Sequence, residues 1–340
     1  MARVAVALSG GVDSTAAAIL LREMGHAVFG VTMRVTADPK EEAAAVAAAL
    51  GIEHHIIDLR SEFQEAVIKP FVAAYLSGRT PNPCVICNPR VKFGLLLQRA
   101  LALGAEFFAT GHYARVWQDP STGRYLLARG LDPKKDQSYF LYALTQEQLR
   151  RLLFPLGTKT KEQTRALVRA YGLRVAPQES QEICFIPGND YRAFLLQTAG
   201  PPRPGPILDL KGKVIGEHRG LPYYTVGQRR GLGIAAGYPL YVIAVDPVRN
   251  ALVVGPEKFL YRDECSATDV NFIPFAGLTE SLRVTVKVRH GAQEKPGVIV
   301  PTGDELVQVR FEVPERAVTP GQAAVFYQGE LVVGGGTITA

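Results

Sequence analysis

An α/β fold built on a doubly wound parallel sheet, followed by a small β-rich domain and a C-terminal antiparallel β-barrel, is what this sequence predicts. Three observations predict it. Residues 1–110 alternate short apolar runs with helix-periodic stretches, the βα alternation that places helices on both faces of a parallel sheet. A proline-rich break, Gly200 to Pro206, then changes the composition, because its prolines cannot continue a helix and favour an extended linker. Beyond it the chain consists of short segments of alternating apolar and polar residues punctuated by Gly, Pro and Asn.

The elements follow in order. Val4 to Leu8 is an apolar strand; Ser14 to Met24 has helical periodicity; Ala27 to Met33 is a buried strand; Pro39 to Leu50 is an Ala-rich helix stopped by Gly51. His54 to Leu59 is a third strand, Glu62 to Leu76 and Val91 to Leu103 are helices, and Glu106 to Thr110 is a further buried strand. Tyr113 to Trp117 and Tyr125 to Arg129, joined through Asp119 to Gly123, form a hairpin added to this domain. Helical signals resume at Thr145 to Leu153 and Thr160 to Tyr171. After the break come the strands Lys213 to Glu217, Leu240 to Asp246 and Ala251 to Gly255, then Leu282 to Val288, Glu305 to Phe311, Ala323 to Tyr327 and Leu331 to Val333. The reading gives three domains: a catalytic domain over 1–199, a central β-rich domain over 200–262 and a barrel over 263–340.

Composition narrows the function. Lys and Arg outnumber Asp and Glu by 38 to 32, a net charge of +6 that favours an anionic partner. No run of ~20 apolar residues and no signal-peptide layout is present, so a soluble, cytoplasmic protein without a membrane partner is expected. Four cysteines in 340 residues are too few for a secreted disulfide framework. In a reducing compartment the pair in Cys84-Val85-Ile86-Cys87 reads instead as redox-active, metal-binding or catalytic. Structural zinc would need a second tight ligand pair; His54 and His55, adjacent in a strand, point to opposite faces.

Two constellations carry chemistry. Ser9-Gly10-Gly11-Val12-Asp13-Ser14 joins a strand to a helix, so two glycines let the backbone approach an anion while the hydroxyls and the helix N-terminus supply donors. No Lys follows the glycines, which excludes the Walker grip, and the pattern resembles the pyrophosphate-binding loop of ATP pyrophosphatases. Leu8, Met33 and Thr110 end their strands, so the glycine loop, Met33 and Gly111-His112 converge on one nucleotide. The second constellation is the turn-rich segment Gly78 to Asn88, placed before a helix beginning near Val91. There the helix N-terminus, Arg79, Arg90 and Lys92 are expected to stabilise a thiolate. A third thiol, Cys184, follows Glu179 to Ile183.

Six motifs in register resemble those of bacterial tRNA-specific 2-thiouridylases over nearly the whole chain. They are the Ser9 to Ser14 loop, Gly78 to Asn88, Ala109 to Tyr113, Lys135 to Phe140, Ile183 to Ile186 and Tyr224 to Gly233, with Thr319 to Tyr327 closing the series. The resemblance implies an adenine nucleotide alpha hydrolase-like catalytic domain and an enzyme that replaces O2 of the wobble uridine of tRNA by sulfur. It implies that Ala7, Leu8, Ser9, Gly10, Gly11, Val12, Asp13, Ser14, Met33 and Gly111 hold ATP with Mg²⁺. Cys184 matches the persulfide-bearing cysteine and Cys87 the other catalytic cysteine. Asn82, Pro83 and Cys84 are placed against the target base, and His112, Lys135, Asp136, Gln137, Arg289, His290 and Gln322 against the tRNA.

One departure bears on the chemistry. Many members carry an acidic residue where this chain has Cys84, so an acid/base role at that position is in question. Three cysteines, Cys84, Cys87 and Cys184, also match the ligand count of a four-iron, four-sulfur cluster with one open iron. Sulfur would come from a cysteine desulfurase, a relay protein or sulfide. Two readings from other classes stay open here: an adenylating ligase or amidotransferase-like enzyme acting on a small molecule, and a noncatalytic RNA-binding module. The Arg229-Arg230 pair, in a Gly-rich loop, is a candidate phosphate contact.

Overall fold

The computed structural model describes residues 1–36, 41–173, 175, 183–303 and 305–339. Five parallel strands form the first sheet: β1 (Arg3–Ala7), β2 (Ala27–Arg34), β3 (His54–Asp58), β4 (Phe107–Ala109) and, later in the chain, β7 (Leu152–Leu153). Their order is β3-β2-β1-β4-β7. Alternate side chains of β1 feed two cores, as a strand's period of two requires. Val4 and Val6 pack under the helices Val12–Glu23 and Glu41–Leu50, through Ala16, Ile19, Val46 and Ala47. Ala5 packs on the other face, with Phe63, Val67 and Phe71 of the helix over 60–76 and Phe93 and Leu96 of the helix over 83–102. The doubly wound sheet is therefore as expected, except that Thr145 to Leu153 divides: only Gln146–Leu149 is helical, capped by Thr145, and Leu152–Leu153 is the fifth strand. The start of the helix placed at Pro39 lies partly outside the described residues.

Two boundaries differ from the sequence reading. The helix expected near Val91 begins at Pro83, with Asn82 as its N-cap, so Cys84 and Cys87 lie within its first turns rather than in the preceding loop. Pro at the first helical position is favourable because its missing N–H would be unpaired there in any case. The helix then widens to i→i+5 hydrogen bonding over Asn88–Leu96, around Pro89. In the supposed linker, Gly205–Leu208 is a strand, β8, antiparallel to β9 (Val214–His218). Its pairing with β11 (Ala251–Gly255) begins only at Ile207, so Pro206 interrupts no bond of that ladder.

The central sheet has the order β10-β11-β8-β9, with β10 over Tyr241–Asp246 and β11 over Ala251–Gly255. The barrel comprises β12 (Tyr261–Phe272), β13 (Leu282–Lys287), β14 (Lys295–Pro301), β15 (Leu306–Arg316), β16 (Ala323–Gln328) and β17 (Leu331–Ile338), closed by the β12–β17 pairing. The hairpin of β5 (Ala114–Gln118) and β6 (Tyr125–Arg129) does not extend the catalytic sheet. It joins the barrel sheet beside β17, where Leu331 pairs with Ala128. Its apolar partners explain this: Leu127, Tyr327 and Val332 share one core with Tyr139 and Leu141.

Candidate active site

The strand order sets the C-terminal ends of β2, β1 and β4 side by side, with Met33 in the last residues of β2, the Ser9 to Ser14 loop after β1 and Gly111 after β4. This is the crevice where open α/β sheets bind ligands. Gly10 has φ +79°, and a Cβ there would lie 2.5 Å from Cβ of Glu42, so only glycine fits. A Cβ on Gly111 would fall 2.7 Å from the carbonyl carbon of Asp13, so that strand end lies directly against the loop. The helix Val12–Glu23 begins at Gly11 with no side-chain cap, leaving its first N–H groups to an anion. Internal hydrogen bonds set the loop: the Ser9 N–H donates to Ser14 Oγ (3.2 Å), and the hydroxyls of Ser14 and Thr15 donate to Gly11 O (3.1 and 2.9 Å).

Sequence reasoning missed the residues that hold Asp13. Lys161 Nζ lies 2.8 Å from each carboxylate oxygen, and the Tyr113 hydroxyl donates to Oδ1 (2.9 Å). Tyr113 also contacts Thr164 Oγ1 at 3.0 Å. Both Lys161 and Thr164 come from the helix Lys161–Ala170, whose capping box of Thr160 and Gln163 was legible as a helix start but not as part of the loop.

Asn82 Oδ1 accepts from the Cys84 N–H (3.1 Å), fixing the start of the helix that bears two thiols. Cys184 reaches the same place from the far side, held by Phe185, which packs edge-on against Phe63, Phe71 and Phe194. Its upstream neighbours at 179–182 lie outside the described residues. Cys84 and Cys184 are exposed, Cys87 is buried, and all three interact electrostatically with one another. The expected thiolate stabilisation does not prevail. Cys84 reaches the surface, yet the protein packed around its sulfur removes enough hydration to raise its thiol, and burial pushes Cys87 up to about 12; Lys92 opposes this and the neighbouring thiols add to it. Lys92, not Arg79 or Arg90, is the cation that acts on Cys84. Both thiols are therefore protonated at neutral pH in this state. Among the described residues no three His, Cys, Asp or Glu side chains close on a single metal ion; a four-iron, four-sulfur cluster holds its cysteine ligands farther apart than one ion does, so this observation bears on a mononuclear centre and not on the cluster.

The residues placed against tRNA divide. His290 and the pair Arg229-Arg230 are exposed. His112 is buried between Phe93 and Phe154 with Nδ1 2.7 Å from Thr110 Oγ1, and burial, then Lys92, holds its imidazole well below the usual range. Asp136 accepts from the N–H groups of Gly130 and Ser138, and Gln137 Oε1 from that of Tyr113, so both shape the turn that includes Lys135. Arg289 Nη1 donates to the carbonyl of Arg316 (3.2 Å). Gln322 Nε2 donates to Thr80 O (2.7 Å), and Thr80 Oγ1 meets Thr225 Oγ1 at 3.1 Å. All three domains thus meet at the segment leading into the cysteine helix.

Known families match in the same order. Residues 2–188 match a family described as a tRNA methyl transferase HUP domain, 192–256 a tRNA methyl transferase PRC-barrel domain and 262–338 an aminomethyltransferase beta-barrel domain. A curated relative from Desulforudis audaxviator, named tRNA-specific 2-thiouridylase MnmA, is 51% identical, with 100% of this chain and 99% of the relative covered. One from Pelotomaculum thermopropionicum, of the same name, is 49% identical over 99% of this chain and 97% of its own. The chain belongs to the tRNA-specific 2-thiouridylase family. Among solved structures, the U34-tRNA thiolase NcsA from Methanococcus maripaludis with its [4Fe-4S] cluster matches at 18% identity and a TM-score of 0.37, covering 58% of this chain and 63% of its own. That likeness is too remote to bear on the chemistry. No helix among the described residues is long and apolar enough to cross a membrane.

Proposed function

We infer that the chain is an ATP-dependent tRNA-uridine 2-sulfurtransferase acting on the wobble uridine. The observation that carries this is the meeting of Cys87 and Cys184, distant in sequence, in a chain whose parallel strands end at a pyrophosphate loop. ATP enters as its Mg²⁺ complex, held by Ala7 to Ser14, Met33 and Gly111. Uridine O2 attacks the α-phosphate, the bond to the β-phosphate breaks, and pyrophosphate leaves against the loop and the helix N-terminus. The Cys184 persulfide, charged by an external sulfur donor, attacks C2 through its terminal sulfur and expels AMP. Cys87 then attacks Sγ of Cys184; the S–S bond to the base breaks, 2-thiouridine departs, and the Cys87–Cys184 disulfide is reduced by an external thiol.

Burial of Cys87 fits this order, because a thiol held protonated does not strip the persulfide before the base is bound. Exposed Cys184 is open to a donor protein. Asn82, Pro83 and Cys84 meet the splayed base, which must leave its stack to reach the thiols. His290, Arg289, Gln322 and the Lys135 to Gln137 turn, with His112 beneath it, form the tRNA side. The iron–sulfur alternative supplies no step here.

The test measures pyrophosphate release and 2-thiouridine formation separately. Wild type should release pyrophosphate only with tRNA present. Cys87→Ser and Cys184→Ser should retain that release while forming less than about a thousandth of the 2-thiouridine, as loss of a nucleophile does. Pyrophosphate release indifferent to tRNA would make the enzyme a small-molecule ligase. Stoichiometric iron lost together with activity on chelation would restore the cluster.

A further inference from the structure

The loop as read from sequence has a charge problem. Pyrophosphate carries several negative charges, the loop from Ser9 to Thr15 contains no cation, and Asp13 adds a carboxylate. A helix N-terminus contributes only about half a positive charge. Something else must make this loop receive an anion.

The structure supplies one candidate, from 148 residues away in the chain. Lys161 Nζ is 2.8 Å from both oxygens of Asp13, and the Lys161 side chain is 6% exposed against 34% for Asp13. A buried ammonium is costly and persists only where its charge is used. Its position makes it more costly still: Lys161 is the first residue of its helix, where the dipole disfavours a cation and an acidic residue would be the stabilising choice. The placement is nonetheless rigid. The Lys161 N–H donates to Asp132 Oδ2 (3.0 Å), the capping box closes the turn, and the Tyr113 hydroxyl bridges Thr164 to Asp13. A helix start is thus fixed against the phosphate loop with a lysine where stability alone would not put one.

We propose that Lys161 is the cationic phosphate-binding residue of the nucleotide site, exchanging part of its contact with Asp13 for a β- or γ-phosphate oxygen of ATP and stabilising the pyrophosphate that leaves. It does the work of the lysine the glycine loop lacks, from another helix. The proposal rests on the reading that this loop holds ATP.

Calorimetric titration of the full chain with Mg²⁺–ATP, inorganic pyrophosphate and AMP tests it, using Lys161→Met, Lys161→Arg and the double variant Asp13→Asn/Lys161→Met, with melting temperatures as the folding control. Lys161→Met should weaken ATP and pyrophosphate about 10- to 100-fold, the loss of a charge-assisted hydrogen bond, and leave AMP within about threefold. Lys161→Arg should keep most of the pyrophosphate affinity. The double variant, which removes the Asp13 carboxylate together with the ammonium that faces it and so carries the test if the single variant fails to fold, should remain weak for pyrophosphate. Recovery in the double variant would show that Lys161 only offsets Asp13 and would overturn the proposal, as would a parallel loss of AMP or unchanged pyrophosphate affinity. Wild type that binds pyrophosphate by way of Lys161 but never thiolates tRNA would overturn the proposed function and leave Lys161 in place; wild type that binds none of the three would overturn both.

Discussion

Cys87 stands in the early turns of a helix and close enough to Lys92 to feel its charge, two features that lower a thiol's pKa, yet burial outweighs them and pushes it up to about 12. A thiol with its folded value raised above the unfolded one keeps its proton where the unfolded chain has lost it. It therefore contributes stability that is complete below about pH 8.5, the ordinary cysteine value, and is lost as pH climbs toward 12. Buried Cys265, also raised to about 12 by burial, then Glu264 and Glu315, acts in the same sense. The measurable consequence at Cys87 is slow alkylation: at pH 8 the rate with iodoacetamide should be roughly a thousandfold below that of an ordinary cysteine, and it should gain about tenfold per pH unit up to pH 9.5. Peptide mapping by mass spectrometry reads each cysteine separately, and a plateau below pH 9 would contradict the burial argument. Asp13 was legible because its motif is local. Lys161 was not, because nothing in Thr160 to Gln163 beyond a helix start says which carboxylate the lysine will reach.

At the scale of elements, local signals placed starts and stops well where capping chemistry is explicit, as at Thr160 and Gly51, and poorly where tertiary contacts decide. Leu152–Leu153 reads as the tail of a helix but pairs with β4, its neighbours Phe108 and Ala109 supplying the ladder. The long strand β12 was missed because its charged outer residues, Arg262 to Glu264, hide the alternation. The cysteine helix was started late because Pro83 and Pro89 look like breakers, although one serves as the first helical residue and the other lies in the widened stretch. That stretch is tied down by Gln148, whose Nε2 donates to Pro89 O (2.7 Å) while its Oε1 accepts from the Thr145 N–H (3.0 Å). Gln148→Ala removes both bonds at once and should cost about 1–3 kcal/mol, lowering the melting temperature by several degrees. The loosened helix bears Cys84 and Cys87 but not the glycine loop. Sulfur transfer should therefore fall severalfold while pyrophosphate release stays near wild type; equal loss of both half-reactions would mean that the helix also shapes the nucleotide site.

For the molecule as a whole, three domains in sequence do not mean three independent cores. Sheet residues Ala5, Phe29 and Phe108 lie in the same apolar cluster as Tyr139, Ile273, Val325, Tyr327 and Val332, so the catalytic domain and the barrel share a core. Hairpin β5–β6 crosses the boundary to join the barrel sheet, Tyr139 OH donates to Ala323 O (2.9 Å), and the Arg129 guanidinium lies 3.7 Å from the Tyr327 ring centroid. Interfaces between domains are ordinarily smaller and more polar, and allow relative motion. Here separation would expose Leu127, Tyr139 and Leu141 to water, at about 1.5–3 kcal/mol for each large side chain uncovered, more than a marginally stable domain can lose. The barrel and catalytic domain should consequently unfold in one calorimetric transition, with equal calorimetric and van't Hoff enthalpies for that transition. A fragment of residues 1–261 should bind a hydrophobic dye and aggregate. If that fragment instead stays soluble and melts cooperatively at the temperature of the full chain, the shared core contributes little, and the barrel is a docked accessory tied to the segment before the cysteine helix by the hydrogen bonds of Gln322 and Pro320 with Thr80.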